Sequence, residues 1–300
     1  MKILKQNVGV DMAKNDFVST IVVLLEGQTV SIIRTRKFKN SKLGIIEFFE
    51  WINKYRDQTL PMHITMEATG VYYEELAYAL FDTPDVIIHV LLPNTAKKYF
   101  ESLNVKTKTD KVDSRVLGQM GVERTLNPWT LTSKIYRVLR TLTREKEQLI
   151  DERTKVKNQL HAETHSAQPY KPSVTRFKNR IKYLNNQIDS VKKEVEKIVS
   201  KDEYLSNKIK KIETVPGLGF MTIVGVIAET SGFTNTNSIK QLTSYCGYDV
   251  AIKESGNWNG KAKISKKGNS HIRRLMHMAS LSSIKLNYSP FLRPLFCILN

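Results

Sequence analysis

The chain has 300 residues, 41% of them hydrophobic and 25% charged, which allows a packed core, fits about two domains and excludes general disorder. Its 47 lysines and arginines against 29 acids leave a formal net charge of +18. The expected partner is therefore a polyanion, nucleic acid ahead of an anionic membrane, for which no amphipathic basic helix or lipidation signal exists. Cys246 and Cys297 are too few and too distant for a disulfide framework or a zinc site. The opening MKILKQNVGVDMAKNDF lacks the apolar core of a signal peptide, and the apolar runs 18–25 and 86–92 are too short to span a bilayer. A cytoplasmic protein with no membrane partner is expected.

In chain order, Val8-Gly9-Val10-Asp11 reads as a short strand, and 17–25 is rich in β-branched residues. Glu26-Gly27-Gln28 reads as a hairpin turn before the alternating stretch 31–37. Leu43, Ile46, Phe49 and Ile52 have helical spacing over 41–55, with Ser41 as N-cap and Asn40 as a near alternative. Residues 63–67 predict a strand and 71–81 a helix, and the continuous apolar run 86–92 predicts a central strand buried on both faces. Three antiparallel strands followed by helix, strand, helix, strand is the order of an α/β ribonuclease H-like domain, assigned to 1–128.

Residues 129–204 change period. Val174, Phe177, Ile181, Leu184, Ile188, Val191, Val195 and Ile198 follow steps of three and four without a miss, a coiled-coil pattern. Upstream, Ile135, Leu142, Leu149 and Val156 hold one heptad position, while Lys146 and Arg153 interrupt the other. The break at Gln168-Pro169-Tyr170-Lys171-Pro172 makes this a helical hairpin, read as an assembly arm.

Residues 205–300 read as a mostly helical domain containing Val215-Pro216-Gly217-Leu218-Gly219 between two apolar helices. Gly217 and Gly219 would expose backbone N–H groups to a phosphate in a helix-hairpin-helix-like segment, although a plain helix–helix turn explains the same residues. From Ser255 to Asn300 there is no acid. Lys261, Lys263, Lys266, Lys267, Arg273 and Arg274, interleaved with Gly260 and Gly268, suit a loop that follows a phosphate backbone, with a solvated basic surface as the plain alternative.

Four carboxylates could carry chemistry. Asp11 emerges at a strand end after Gly9, where a second group can approach closely. Glu67 stands between Ile64-Thr65-Met66 and a Gly70 turn. Asp110 and Asp113 share a helix face by their spacing of three. Taken singly, Asp11 is equally a turn residue, and Asp110 and Asp113 among Lys106, Lys108, Lys111 and Arg115 read plainly as a surface ion-pair patch. Taken together, the four fit a cage for a hard divalent cation acting on phosphodiesters, with Lys106, Lys108 and Arg115 holding nucleic acid. His161 and His165 lack the zincin order and a third ligand.

VGVDMAK, MEATGVYYE, KTKTDKVDSR, VPGLG, YCGYDVAIKESG and ISKKGN, in this order over nearly the whole chain, resemble the bacterial insertion-sequence transposases of the one-ten family, the DEDD transposases. The resemblance implies a RuvC-like domain whose acidic tetrad falls on Asp11, Glu67, Asp110 and Asp113 and holds Mg2+, with Mn2+ as a substitute. It implies a coiled coil leading to a C-terminal transposase domain with a nucleophilic serine, Ser255 here, in Lys253-Glu254-Ser255-Gly256. By its surroundings alone Ser255 is an ordinary loop serine. The resemblance further implies DNA as substrate, a structured bridge RNA as guide, and homodimers that pair into tetramers. Whether Ser255 serves the tetrad of its own chain or a neighbour's stays open. Relatives continue further past the segment matching His271–Lys285, so a shortened C-terminal domain, ending in Leu295-Phe296-Cys297-Ile298-Leu299, is expected. Two rivals remain: a RuvC-like nuclease that uses water, and a nucleic-acid-binding scaffold without activity.

Overall fold

A computed structural model of the chain describes residues 2–234, 236, 238–252, 254, 255 and 258–285, with the backbone alone for Ser255, Trp258, Asn259, Ile284 and Lys285. The readings that rest on Lys253, Gly256, Cys297 and the 287–299 ending lie outside these residues. The chain divides into two compact units, Met1–Leu131 and Thr132–Asn300.

The first unit is built on a mixed sheet. Strands β1 (Ile3–Met12), β2 (Asp16–Leu25) and β3 (Thr29–Lys39) form an antiparallel meander. Helix α1 (Lys42–Tyr55) leads to β4 (Met62–Glu67), α2 (Glu74–Leu80), β5 (Val86–Leu91), α3 (Pro93–Ser102) and α4 (Asp110–Glu123). The five strands lie in the order β3-β2-β1-β4-β5, with β4 parallel to both β1 and β5. This is the ribonuclease H-like arrangement.

Strand periodicity sorts β1 into two faces. Val8, Val10 and Met12 enter a core with Phe17, Ile21, Phe48, Trp51 and Ile64. Asn7, Gly9 and Asp11 point to the opposite face. Ser41 caps α1, its Oγ accepting from the Gly44 amide at 3.3 Å. The buried stripe of α1 is Ile45, Phe48, Trp51 and Ile52, whereas Leu43 and Ile46 are exposed. The spacing identified the helix but chose a face rotated by about one position. The aromatic cluster decides the rotation: Phe48 lies 5.3 Å from both Phe17 and Phe38, and Trp51 lies 5.3 Å from Phe38, between ring centroids.

Strand β5 is not central, as its apolar run predicted, but forms the sheet edge. Its free side is covered locally, because the Trp129 amide donates to the Ile88 carbonyl at 2.7 Å. Coverage of an edge by a chain segment gives it the apolar composition of an inner strand.

On the other face α4 packs against β1 through small residues. A Cβ on Gly9 would overlap the Ser114 carbonyl and the Gly118 amide, and one on Gly121 would overlap the Asn7 side chain. Asn7 Nδ2 donates to the Gly118 carbonyl at 3.0 Å and Thr65 Oγ1 donates to Asn7 Oδ1 at 3.0 Å. Thr20 and Ser114 share a hydroxyl bond of 2.8 Å. These interactions set how closely helix and sheet approach.

The second unit starts with two long helices, α5 (Lys134–Thr164) and α6 (Lys171–Ser200), which form a hairpin. Helices α7 (Glu203–Glu213) and α8 (Phe220–Glu229) flank the Val215–Gly219 turn. Helix α9 (Ile239–Cys246), strands β6 (Val250–Ala251), β7 (Glu254–Ser255), β8 (Trp258–Asn259) and β9 (Lys263–Ile264), and helix α10 (Ser270–Lys285) follow. Strand β6 pairs with β9, and β7 with β8. Leu139 and Leu142 of α5, Val191 and Val195 of α6, Leu205 of α7 and Ile223 and Ile227 of α8 form one core.

The heptad of α6 is used within the chain. Leu184, Ile188, Val191 and Val195 are buried, while Val174, Phe177 and Ile181 are half-buried. The two polar interruptions of α5 lie along the hairpin: Arg153 Nη1 donates to Asn185 Oδ1 at 2.9 Å, and burial lowers the Lys146 pKa. Among the described residues no helix is long and apolar enough to cross a membrane.

Candidate active site

The four acids gather at one end of the sheet face that α4 covers. Val10 pairs with Met66 in the parallel β1–β4 ladder, so one step further along both strands come Asp11 and Glu67. Asp110 and Asp113 lie in the first turn of α4, where the helix dipole favours negative charge. Thr109 caps that turn, its Oγ1 accepting from the Val112 amide at 3.3 Å. Asp113 directly precedes Ser114, whose carbonyl lies against Gly9, and Gly9 is two residues before Asp11. The close approach at this glycine thus holds the helix-borne pair beside the strand-borne pair.

Electrostatics records the proximity. The Asp11 carboxyl is pushed up to about 6, first by burial and then by the charges of Asp113, Asp110 and Glu67, with Lys108 acting in the opposite sense. Asp113 is also raised, by burial first, with Lys108 opposing and Asp110 and Glu67 adding. Asp113 Oδ1 is buried without a hydrogen-bond partner. A carboxylate oxygen without a hydrogen-bond partner, among acids that raise one another's pKa, suits a hard cation, since oxygen donors are what Mg2+ takes. Asp11, Glu67, Asp110 and Asp113 could hold one. Among the described residues no three acid, His or Cys side chains are already closed into a metal-holding group, so the four are neighbours rather than a finished coordination shell.

Two polar neighbours of this cluster carry no sequence signal of their own. Thr69 Oγ1 donates to Glu67 Oε1 at 3.2 Å, orienting that carboxylate. Lys37 of β3 pairs with Asp16 at 2.9 Å, and the charge of Asp110 also reaches it. The position of Lys37 follows from register, because it stands opposite Val18, two residues along from the Thr20 that bonds Ser114 of α4.

The cations divide into free and engaged. Lys106 and Lys108 are exposed on the segment before α4, and Arg115 is exposed on its first turns. Lys261, Lys263, Lys266 and Lys267 are exposed around β9. Arg273 donates to the Cys246 carbonyl at 2.8 Å, and Arg274 holds Asp151 of α5 through two hydrogen bonds of 2.9 and 2.5 Å. Those two arginines therefore brace α10 as well as contributing charge.

Gly217 takes φ +90°, and a Cβ there would overlap Ser283 Oγ of α10. Its close approach is to that helix. Gly219, the N-cap of α8, faces open space. Ser255 lies in the β7–β8 hairpin opposite Trp258.

Two family models match. Residues 8–167 match a DEDD transposase model of IS110, and residues 209–293 match one described as transposase, IS116/IS110/IS902 family. The first span contains the four acids and the second contains Ser255. Pilin gene-inverting proteins of Moraxella lacunata and Moraxella bovis are each 25% identical over 286 residues, covering 92% of this chain and 82% of theirs. Among solved structures, RuvC of Thermus thermophilus aligns over 42% of this chain and all of its own, with 11% identity and a TM-score of 0.33. The fowlpox virus Holliday junction resolvase aligns over 40% of this chain and 99% of its own, with 16% identity and a TM-score of 0.29. With more than half of its length matched by the first model alone, the chain belongs to the IS110 family of DEDD transposases, enzymes of DNA recombination.

Proposed function

We propose that the chain cuts and rejoins the DNA strands of an insertion sequence by transesterification, with Asp11, Glu67, Asp110 and Asp113 holding Mg2+ (or Mn2+) and Ser255 as nucleophile. The carrying observation is the convergence of the four acids, with Asp11 raised to about 6 and one Asp113 oxygen orphaned. A divalent ion there would supply Lewis-acid stabilisation of charge on the scissile phosphate. The acids orient and neutralise around it, while Lys106, Lys108 and Arg115 would hold the phosphate backbone.

Ser255 Oγ gives up its proton and bonds to phosphorus, and the leaving strand departs as a hydroxyl. The phosphodiester is exchanged rather than hydrolysed, so its energy is kept for rejoining to another strand. Relatives whose names record the inversion of a gene accord with strand exchange of this kind. The reading further includes a bridge RNA that shares the basic surface, and homodimers that pair into tetramers.

The test combines the protein with Mg2+, element-end DNA and candidate RNA, and looks for DNA linked to serine. Ser255→Ala is expected to bind DNA with unchanged affinity and give no adduct, and Asp11→Asn to give neither adduct nor cleavage. An adduct formed by the Ser255→Ala protein sinks the serine assignment. Nicks bearing no protein would favour a water-using nuclease.

A further inference from the structure

The outer half of the α5–α6 hairpin carries a charge pattern unlike the rest of its length. Beyond Val156 on α5 and Leu184 on α6, the buried residues nearest the turn on each helix, α5 runs about 12 Å and α6 about 20 Å to the turn. From Arg153 to Ile188 the only acid is Glu163. That acid is already engaged, because its Oε1 accepts from the Tyr170 amide at 2.8 Å and ties down the start of α6.

Around it Lys155, Lys157, Arg176, Lys178, Arg180 and Lys182 are all exposed. Among the described residues none of the six forms an ion pair. Nearer the base, cations do find acids: Lys192 pairs with Glu196 and Arg274 with Asp151. Lys178 and Arg180 flank the apolar seam while Arg176 and Lys182 stand further round the helix, so the charge wraps the tip rather than forming one stripe. Tyr170 and Tyr183 add exposed aromatic surface, each 61% accessible. Crowded like charges oppose one another, and a polyanion relieves that repulsion with release of its counterions.

We infer that this tip is a docking surface for the phosphate backbone of duplex DNA, in addition to the cations near the acidic cluster and around β9. DNA is chosen because it is what the enzymes of this family recombine, and in that respect the inference rests on the proposed function. Backbone interactions of this kind position a duplex without reading its sequence.

The test measures binding of the full-length protein to labelled duplex DNA between about 50 and about 200 mM salt. The triple variant K178Q/R180Q/K182Q changes only exposed residues, and an unshifted melting temperature confirms its fold. Its affinity is expected to fall about tenfold or more for any sequence, with a salt slope smaller by roughly 0.9 for each phosphate it no longer neutralises. K192Q/K193Q/K197Q, near the base, is expected to change affinity no more than about twofold.

An unchanged affinity and slope in the tip variant overturns the inference and leaves the recombinase reading intact. So does a loss confined to RNA duplexes, which assigns the tip to RNA, or an altered oligomeric state with unaltered DNA binding, which assigns it to a second copy. Serine-linked adduct formed by the tip variant at saturating DNA separates a defect in docking from a defect in chemistry.

Discussion

Asp11 shows what the acidic cluster costs the fold. Folding raises its pKa from 3.8 to about 6. It therefore costs the folded state nothing below the unfolded value, where the carboxyl is neutral in both states, and the cost grows as pH rises from about 4 through about 6, so that Asp11 opposes folding at neutral pH. Asp11→Asn should raise the melting temperature of the metal-free protein at pH 7 by the equivalent of about 1–2 kcal/mol, discounted for solvent screening. The gain should shrink as pH falls and vanish below about pH 3, where Asp11 is protonated in both states. Added Mg2+ should stabilise the wild type and leave Asp11→Asn unmoved, and melts in chelator and in Mg2+ at both pH values read all of this. A variant no more stable than wild type at pH 7 would mean that neither burial nor the neighbouring acids penalise the Asp11 carboxylate. The candidate acids were legible only as a set, two ending apolar strands and two sharing a helix face, because each of them singly has an ordinary structural reading. Lys37 and Thr69 were not, since their placement depends on strand register and turn geometry that composition does not encode.

At the level of elements, the glycines between β1 and α4 decide whether two pairs of acids become one cluster. The obstacles to a Cβ at Gly9 are the Ser114 carbonyl and the Gly118 amide, backbone atoms that cannot rotate away. Gly9→Ala must push α4 off the sheet and draw Asp113 away from Asp11. We expect a loss of about 1–3 kcal/mol or more in stability and the loss of DNA cleavage. The Asp11 pKa should also move down toward its ordinary value as the helix-borne charges recede, which NMR titration of the carboxyl would detect. Full cleavage by this variant would show that the helix position does not matter. The strands, the turn at Glu26–Gln28 and the Ser41 cap could be read because local pattern and capping chemistry determine them. The face of α1 and the edge position of β5 could not. Both depend on what lies opposite: the Phe17–Phe38 aromatics in one case and the Trp129 segment in the other. The polar partners His63 and His89, whose rings share a 2.9 Å bond while His89 Nδ1 meets the Asn127 carbonyl at 3.0 Å, were likewise invisible as a pair. Their strands meet only in the folded sheet, and there burial pushes His63 down to about 4.

For the whole molecule, a formal charge of +18 makes one simple forecast: removing any acid should strengthen the grip on a polyanion. Glu229 offers a way to separate total charge from its placement. Only 2% exposed, it accepts from Arg144 of α5 at 2.6 and 2.9 Å and from Asn269 Nδ2 at 2.7 Å, while its backbone carbonyl accepts from Tyr245 of α9 at 2.8 Å. Burial alone would raise its pKa, but the bonds to Arg144 and Asn269 outweigh it and hold the carboxyl below its ordinary value. Asn269 also caps α10, its Oδ1 accepting from the Ile272 amide at 3.1 Å, and it directly follows the segment bearing Lys266 and Lys267. Glu229 therefore fixes where that basic segment is presented. Glu229→Gln adds one unit of positive charge yet breaks a paired, buried carboxylate, at about 2–3 kcal/mol given that Arg144 is partly solvated. We expect weaker DNA binding at fixed salt and a lower melting temperature. The exposed Glu196→Gln, with the same change in total charge, should bind as well as wild type or better. If both variants bound DNA more tightly, total charge would govern affinity, and the arrangement of α10 and its basic lead-in would be irrelevant to it.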